Sequence, residues 1–209
     1  ANPEHEKQAA AIAAELWPNN YVTMGHALLS ESREYERGVT AAVNASVQPL
    51  LERYIQRLVT ELKSNGYQSE MLVMNGNGGT VSSQDVAREA AKTVMSGPAS
   101  GVIAAMNTGK AAGHNHLITY DMGGTSTDVA LIYQRTPRIS HDNQIDAYPL
   151  QVPQLDIHTI GAGGGSIAWV QDDGTLEVGP QSAGALPGPA CYGRGGTEPT
   201  ISDANLVLG

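Results

Sequence analysis

The sequence predicts an α/β protein, because helical and strand patterns follow one another along the chain. Between residues 39 and 62 the apolar side chains recur at steps of three and four, which is typical of one long helix. Strand, glycine-turn and helix patterns alternate from residue 71 to residue 107, and strand patterns dominate after His116. The 209 residues, 41% of them hydrophobic, are enough for one large or two small packed domains.

The first elements follow from capping residues and periodicity. Asn2 and Pro3 are typical of an N-cap and a first helical position, so a helix is predicted over residues 3–16. The β-branched and aromatic run 21–24 predicts a short strand. The long helix over residues 39–62 contains Pro49, which is expected to bend it.

The next stretch predicts a strand followed by two helices. The apolar run 71–74 is typical of a buried strand, and the glycine-rich loop 75–79 follows it directly. Ser82 and Asp85 have capping-box spacing for a helix through residue 91, and a further helix is predicted over 98–107. Loop 75–79 is interpreted either as a ligand loop or as a plain turn.

The remaining elements are predicted to be strands. Two of them, 117–120 and 129–133, flank a glycine-rich hairpin, and Asp173-Gly174 is a strong turn signal between strands 166–170 and 176–178. Glycines and polar residues interrupt the pattern at 108–116. The predicted domains are therefore 1–112 and 113–209.

Charge and cysteine content exclude some classes of function. The net charge is −9, and no stripe of Lys or Arg could displace the counterions of a nucleic acid, so no nucleic-acid partner is expected. No apolar run has the roughly 20 residues of a membrane span, so no membrane is expected as a partner. The single cysteine, Cys191, fits a reducing cytoplasm, and a small buried thiol is favoured over a nucleophile because no histidine lies near it in sequence.

The segment Asp121–Asp128 carries the clearest chemical signal. An apolar strand runs into an acid, two glycines and three hydroxyls, and then becomes a strand again. Glycines allow backbone N–H groups to approach a tetrahedral anion, hydroxyls add donors, and a carboxylate at a strand end suits hydrated Mg²⁺. The predicted ligand is therefore a nucleotide, although a hairpin whose glycines only serve the turn is the simpler alternative.

Five stretches together resemble the hydantoinase A / 5-oxoprolinase family, whose members use ATP to open cyclic amides and whose relatives include subunits of ketone carboxylases. These stretches span nearly the whole chain in the family's order: Ser32–Arg37, Ser96–Gly101, Asp121–Asp128, Asp156–Ser166 and Gly188–Pro199. The resemblance implies two actin-like ATPase lobes with a mixed sheet, of which this chain holds a central part. The chain opens without Met and ends within a predicted helix, so we expect it to be a fragment that is inactive alone.

The resemblance also implies roles for residues of the hairpin. Asp121 is predicted to hold Mg²⁺ and, with Asp128, to act in catalysis, while the phosphates of ATP contact the remaining residues: Gly123, Gly124, Thr125 and Ser126. The expected activity is hydrolysis of a hydantoin or 5-oxoproline ring after phosphorylation of the lactam oxygen. A hydantoinase B-type partner is implied, and a homo-oligomer is left open.

A second glycine motif, Gly161–Ser166, is predicted to place Gly163, Gly164 and Gly165 beside the nucleotide. It fails as a dinucleotide fingerprint, because Ser166 stands at the third glycine position and no helix pattern follows. A tight structural bend is the alternative. Arg194, set among glycines, is interpreted either as an anion contact or as a loop-stabilising contact to a carbonyl.

Asp156 and His158 are two apart in a predicted strand and so share a face. Together with Asp121 they are the candidate metal ligands, whereas a hydrogen-bonded structural pair is the alternative for Asp156 and His158. Two further classes of function stay open for the whole chain. They are an ATP-dependent carboxylase subunit acting on a ketone, and a nucleotide-dependent sensor or assembly module without catalysis.

Overall fold

The structure is a computed structural model that describes residues 2–30 and 32–209. Its α-helices are α1 (Pro3–Leu16), α2 (Gly25–Leu28), α3 (Glu34–Ser64), α4 (Ser96–Ala111) and α5 (Ile201–Leu208). Two 3₁₀ helices cover Val86–Thr93 and Ala190–Tyr192. The first six strands are β1 (Leu72–Met74), β2 (Thr80–Ser82), β3 (Leu117–Met122), β4 (Thr127–Tyr133), β5 (Thr136–Pro137) and β6 (Ile139–Ser140). The other six are β7 (Asn143–Ile145), β8 (Tyr148–Leu150), β9 (Gln154–Leu155), β10 (Ile157–Ile160), β11 (Ser166–Val170) and β12 (Leu176–Ser182).

These elements make an α/β chain, as predicted. The largest sheet has the order β10-β4-β3, with β5 paired to β4, and the other strands form two-stranded ladders. Every pair among the described strands is antiparallel, so the parallel pairs that a mixed sheet would add are not among them. Within the described residues no helix is both long and apolar enough to cross a membrane.

The chain divides into two compact units. The first unit runs to Ile103 and also takes in Ile139–Leu155, and the second unit comprises Ala104–Arg138 and Asp156–Gly209. The division within α4 precedes the predicted boundary at 112/113. Segment 139–155 joins the first unit because its polar backbone groups find partners there, such as the Thr40 hydroxyl that accepts from the Gln151 amide at 3.0 Å.

Helix α3 organises the first unit. Its buried side chains Arg37, Thr40, Ala41 and Asn44 follow the spacing of one helical face. The Asn44 amide donates to the Thr23 hydroxyl and the Arg88 carbonyl at 2.9 and 3.0 Å and accepts from the Ala91 amide at 2.9 Å. An apolar cluster beside this face contains Leu28, Leu29, Ala91, Leu150 and Val152. Full burial of each larger aliphatic side chain contributes about 1.5–3 kcal/mol.

Two local predictions for the first unit are wrong. Residues 21–24 are not a strand, because among the described residues no strand pairs with them and the Thr23 hydroxyl is instead hydrogen-bonded to α3. Strand β1 is not buried, because it forms a two-stranded hairpin with β2 in which each strand has one exposed and two half-buried positions. Loop 75–79 is the turn of that hairpin.

The three-stranded core of the second unit positions the predicted site. Strands β3 and β4 pair from Leu117↔Ile132 to Met122↔Thr127, and β10 pairs with β4 on its other side. Ala130 and Ile132 are buried on one face of β4, and the glycine at position 109 lets α4 approach Leu117, where a Cβ would lie 2.2 Å from Cδ1. The hairpin between β3 and β4 is longer than the two predicted strands, and its register is continuous up to the tip.

Candidate functional site

The hairpin tip, residues 123–126, joins β3 to β4 and is closed by one hydrogen bond. The Gly123 amide donates to the Ser126 carbonyl at 2.9 Å. The next three amides, those of Gly124, Thr125 and Ser126, donate to no acceptor among the described residues. Three consecutive unpaired N–H groups at an exposed turn form the kind of donor array that binds anions.

The two glycines of the tip are not required by the fold itself. Neither has a φ in the left-handed region, and a Cβ at Gly124 would meet no atom within 4 Å, while at Gly123 the nearest atom would be 3.6 Å away. The absence of side chains at Gly123 and Gly124 therefore leaves open space beside these two residues. That space allows a ligand to approach the main chain directly.

The glycine loop, residues 161–165, lies against the tip. Its Gly164 and Gly165 amides donate to the Gly123 and Gly124 carbonyls at 2.9 and 2.7 Å. A Cβ on Gly163 would come within 2.6 Å of the Thr125 nitrogen, closer than real Cβ contacts. The structure thus brings the two predicted glycine motifs together, and glycine at 163 is explained by the close approach of two backbones.

Asp121 and Asp128 stand directly opposite each other where the hairpin enters the tip. Directly opposite residues of an antiparallel pair share a face, and like charges in this arrangement repel. Asp128 is half-buried and accepts a hydrogen bond from the Thr159 hydroxyl of β10 at 2.6 Å, whereas Asp121 is exposed. The pair therefore forms a concentration of negative charge next to the amide array.

Asp156 and His158 are not brought to the Asp121 carboxylate. His158 pairs with Val129, which pairs with Tyr120, so this row lies on the opposite face of the sheet from Asp121 and Asp128. Asp156 lies 4.0 Å from the Arg138 guanidinium, a pair that is largely exposed. Within residues 2–30 and 32–209 no three His, Cys, Asp or Glu side chains converge on a position for a metal ion.

The loop after β12 gives Cys191 a different setting from the expected one. The Cys191 residue is exposed rather than buried. A hydrogen bond to the Asp203 carboxylate, with partial desolvation, raises the pKa of its thiol, so the nucleophilic thiolate is disfavoured. The Arg194 guanidinium lies 5.9 Å from the centre of the Tyr192 ring, a cation–π contact within the loop.

Residues at the start of α5 also contact the site, and sequence reasoning missed them. The Ser202 amide donates to the Gly164 carbonyl at 2.8 Å, which attaches the helix to the glycine loop. Thr200 and Asp203 form a reciprocal capping box at this end of α5. The spacing Thr-x-x-Asp before an apolar run was the available signal.

Comparison with known proteins adds the family context. The model of the family described as hydantoinase/oxoprolinase matches residues 37–209. The caprolactamase subunit alpha of Pseudomonas jessenii is 42% identical over the whole chain, and the chain covers 30% of that relative. The 5-oxoprolinase 1 of Arabidopsis thaliana is 38% identical over 99% of the chain, and the chain covers 16% of that relative.

Solved structures agree with these matches. The crystal structure of the ATP-dependent caprolactamase from Pseudomonas jessenii superposes with a TM-score of 0.81 and 40% identity, and a nucleotide-free acetone carboxylase with 0.77 and 30%. Each match covers 99% of this chain and 30% of the other. The chain therefore spans less than a third of the relatives compared here. On the strength of the family match and these similarities, the chain belongs to the hydantoinase/oxoprolinase family.

Proposed function

We propose that this chain is part of an ATP-dependent cyclic amide hydrolase and that its hairpin tip binds the phosphates of ATP. The observation that carries the proposal is the row of unpaired amides at Gly124, Thr125 and Ser126, with open space beside Gly124. The caprolactamase and 5-oxoprolinase relatives support the class of reaction. In the proposed arrangement the residues belong to actin-like lobes, and the other half of the phosphate clamp comes from outside residues 1–209.

The proposed chemistry follows from the inertness of an amide. An amide carbonyl is a poor electrophile, and transfer of the γ-phosphoryl group from ATP to the lactam oxygen, with ADP leaving, gives a more reactive phosphorylated imidate. Water adds to its carbon, the C–N bond breaks with the ring nitrogen leaving as the protonated amine, and a second water hydrolyses the resulting acyl phosphate to carboxylate and phosphate. Phosphoryl transfer is catalysed mainly by positioning and by neutralising charge. The tip amides supply oriented donors for phosphate oxygens, and the glycine loop fixes the tip before the ligand arrives.

The residues present also fit a hydrated Mg²⁺. Magnesium prefers oxygen ligands and keeps several of its waters, which one or two carboxylates at the tip would accept. Asp121 is the proposed ligand, and Asp128, held by the Thr159 hydroxyl, is the proposed support. The bound cation would neutralise phosphate charge. His158 is left out of this proposal because the strand register puts it on the other face, and Asp156 because it lies outside β10, 4.0 Å from the Arg138 guanidinium.

A carboxylase subunit is the second candidate. The acetophenone carboxylase gamma subunit of Aromatoleum aromaticum is 38% identical over the whole chain, only slightly less than the caprolactamase subunit. Both relatives are named as subunits, which supports a partner subunit, proposed here to be of the hydantoinase B type. An assay of phosphate release by the full-length protein with its partner distinguishes the hydrolase from the carboxylase. Stimulation by hydantoin, 5-oxoproline or caprolactam indicates the hydrolase, and stimulation by acetone plus bicarbonate indicates the carboxylase. Nucleotide binding without stimulation by any of them favours a sensor or assembly module.

Gly124→Ala tests the phosphate site directly. The added methyl group meets no protein atom and strains no left-handed φ, so the unfolding temperature should not change. It does occupy the space where phosphate approaches, and we expect the Kd for MgATP to rise at least about tenfold, or roughly 1.4 kcal/mol. The measurement is calorimetric titration of the full-length protein that contains residues 1–209.

The matched control is Gly38→Ala. Gly38 also has no atom within 4 Å of its ideal Cβ and no left-handed φ, but it lies in α3 of the first unit. This variant should bind MgATP as the unmodified protein does. Unchanged affinity in Gly124→Ala would remove the basis for placing phosphate at the tip.

A further inference from the structure

The Asp203 carboxylate joins two separate segments of the second unit. One oxygen, Oδ2, accepts from the amide and the hydroxyl of Thr200 at 2.8 and 2.7 Å. The other, Oδ1, accepts from the Cys191 amide at 2.7 Å. The Thr200 hydroxyl and the Cys191 amide hold the pKa of Asp203 well below its usual range, so the group is ionised at neutral pH.

The segment that Asp203 holds is itself bonded to the glycine loop. Thr200 is buried and forms a β-bridge with Ile167, just beyond the glycine loop, and the following Ser202 amide donates to the Gly164 carbonyl at 2.8 Å. A Cβ on Gly164 would lie 2.8 Å from the Ser202 hydroxyl oxygen, so the Ser202 side chain packs against the glycine loop. The position of the glycine loop therefore depends on where α5 begins.

The glycine loop passes this constraint to the hairpin tip. The Gly164 and Gly165 amides donate to the Gly123 and Gly124 carbonyls, which flank the first unpaired amide of the tip. Each peptide plane is rigid, so fixing the Gly123 and Gly124 carbonyls also fixes the direction of the N–H groups that follow them. A path of hydrogen bonds and short chain segments thus leads from the Asp203 carboxylate to the amide array.

We propose that Asp203 is a positioning residue for phosphate binding, holding the start of α5 so that the glycine loop orients the amides of the hairpin tip. The inference rests on the proposed function. Asp203 makes no contact with the tip in this path and acts through Thr200, Ser202 and Gly164. An ordinary helix cap would contribute to stability alone, whereas a positioning residue also changes affinity for the phosphate part of the ligand.

Asp203→Asn tests the inference, because the amide nitrogen of asparagine cannot accept hydrogen bonds at one of the two occupied positions. We expect the Kd for MgATP to rise about tenfold and the Kd for adenosine, which lacks phosphates, to change less than twofold. Hydrogen exchange at Gly164 and Gly165 should become faster in the same variant. A cap without a positioning role would leave the ratio of the two affinities and the exchange of the glycine loop unchanged.

The matched control is Asp173→Asn. Asp173 accepts from the Thr175 amide at 2.9 Å in the turn between β11 and β12, and this bond lowers its pKa as well. The substitution removes the same charge from a similar setting without touching α5. Its affinity for MgATP and the exchange of Gly164 and Gly165 should match those of the unmodified protein.

The outcomes distinguish this inference from the proposed function. If the unmodified full chain binds MgATP no better than adenosine, the proposed function itself fails. If it prefers MgATP and Asp203→Asn keeps that preference, only the positioning role fails. If the variant does not fold, hydrogen exchange of the unmodified protein tests the inference instead. A positioning role requires the Thr200, Gly164 and Gly165 amides to become exchangeable together as denaturant is added. Independent opening of the glycine loop would overturn the inference.

Discussion

Two hairpin turns, one in each unit, are similarly rich in glycine and differ in what their amides bind. In the loop 75–79 the amides of Asn75, Gly76 and Gly78 donate to backbone carbonyls and that of Gly79 to the Asn77 side chain. In the hairpin tip, residues 123–126, three consecutive amides have no acceptor among the described residues. Glycine content alone therefore does not separate the two loops, whereas the hydrogen-bond partners of their N–H groups do.

The glycines of the first loop also have structural explanations. A Cβ on Gly76 would lie 2.2 Å from the Val94 carbonyl oxygen, and Gly78 has a φ of +82° with Ile103 at 2.7 Å from its ideal Cβ. The tip glycines have neither requirement. The comparison thus gives loop 75–79 a structural interpretation, whereas the tip glycines are explained only by the ligand binding proposed above.

The largest expected effects come from adding a methyl group at one close contact in each unit. In Gly163→Ala the new Cβ is pushed against the Thr125 nitrogen, 2.6 Å away, which displaces the glycine loop from the tip. Overpacking of this kind costs about 1–3 kcal/mol. If all of this free energy destabilises the nucleotide-bound state, the Kd for MgATP rises up to about 100-fold. Calorimetric titration gives the change.

Gly76→Ala is the counterpart in the first unit and should behave in the opposite way. The clash with Val94 destabilises that unit, and a cost of about 1–3 kcal/mol corresponds to a lower unfolding temperature by several degrees. The protein that remains folded should bind MgATP with unchanged affinity. A nucleotide defect in Gly76→Ala as large as that in Gly163→Ala would erase the distinction between the two loops.

Asp121→Asn is expected to have an intermediate effect. Removing this carboxylate relieves its repulsion with Asp128 on the facing strand, so stability should hold or rise slightly. It also removes the proposed oxygen ligand for hydrated Mg²⁺, and we expect roughly a tenfold loss of affinity for ATP that disappears when magnesium is left out. Titrations with and without magnesium measure this difference.

Asp172→Asn supplies the control for that experiment, because Asp172 is an exposed acid in the turn between β11 and β12. It lowers the net negative charge by the same amount without altering the hairpin. If both variants lose the same magnesium-dependent affinity, a general effect of charge replaces the specific role of Asp121.

Sequence reasoning predicted those parts of the molecule that depend on neighbours in the chain. The Asn2 side chain caps α1 at 3.1 Å as expected, and the left-handed φ of +87° at Gly174 fits the predicted turn. That segment 139–155 groups with the first compact unit is not readable from local patterns, since its partners are distant in sequence. Leu155, for example, donates through its amide to the Gly76 carbonyl at 2.8 Å.

The candidate site shows the same division. The two glycine motifs are readable as patterns, but their contact depends on the pairing of β10 with β4, which no local pattern specifies. The same register puts His158 on the opposite face from Asp121, and Asp156 lies between β9 and β10 rather than in the predicted strand. The unpaired state of the tip amides is a property of the folded loop and has no sequence signal.

The smallest expected effect is a pH dependence of amide protection against hydrogen exchange that differs between the two hairpin turns. The pKa of Asp203 is depressed in the folded state by the Thr200 hydroxyl and the Cys191 amide, so its contribution to stability is complete above the ordinary value of 3.8 and is lost as pH falls toward the folded pKa. The segment it holds is bonded to the glycine loop and through it to the tip. Between pH 5 and pH 2.5 the protection of the Gly164 and Gly165 amides should therefore decrease relative to that of Gly76, after correction for intrinsic exchange rates. The Asp203→Asn variant should lack this relative change, and an equal decrease at Gly76 would show that acid loosens both units by a route that does not involve Asp203.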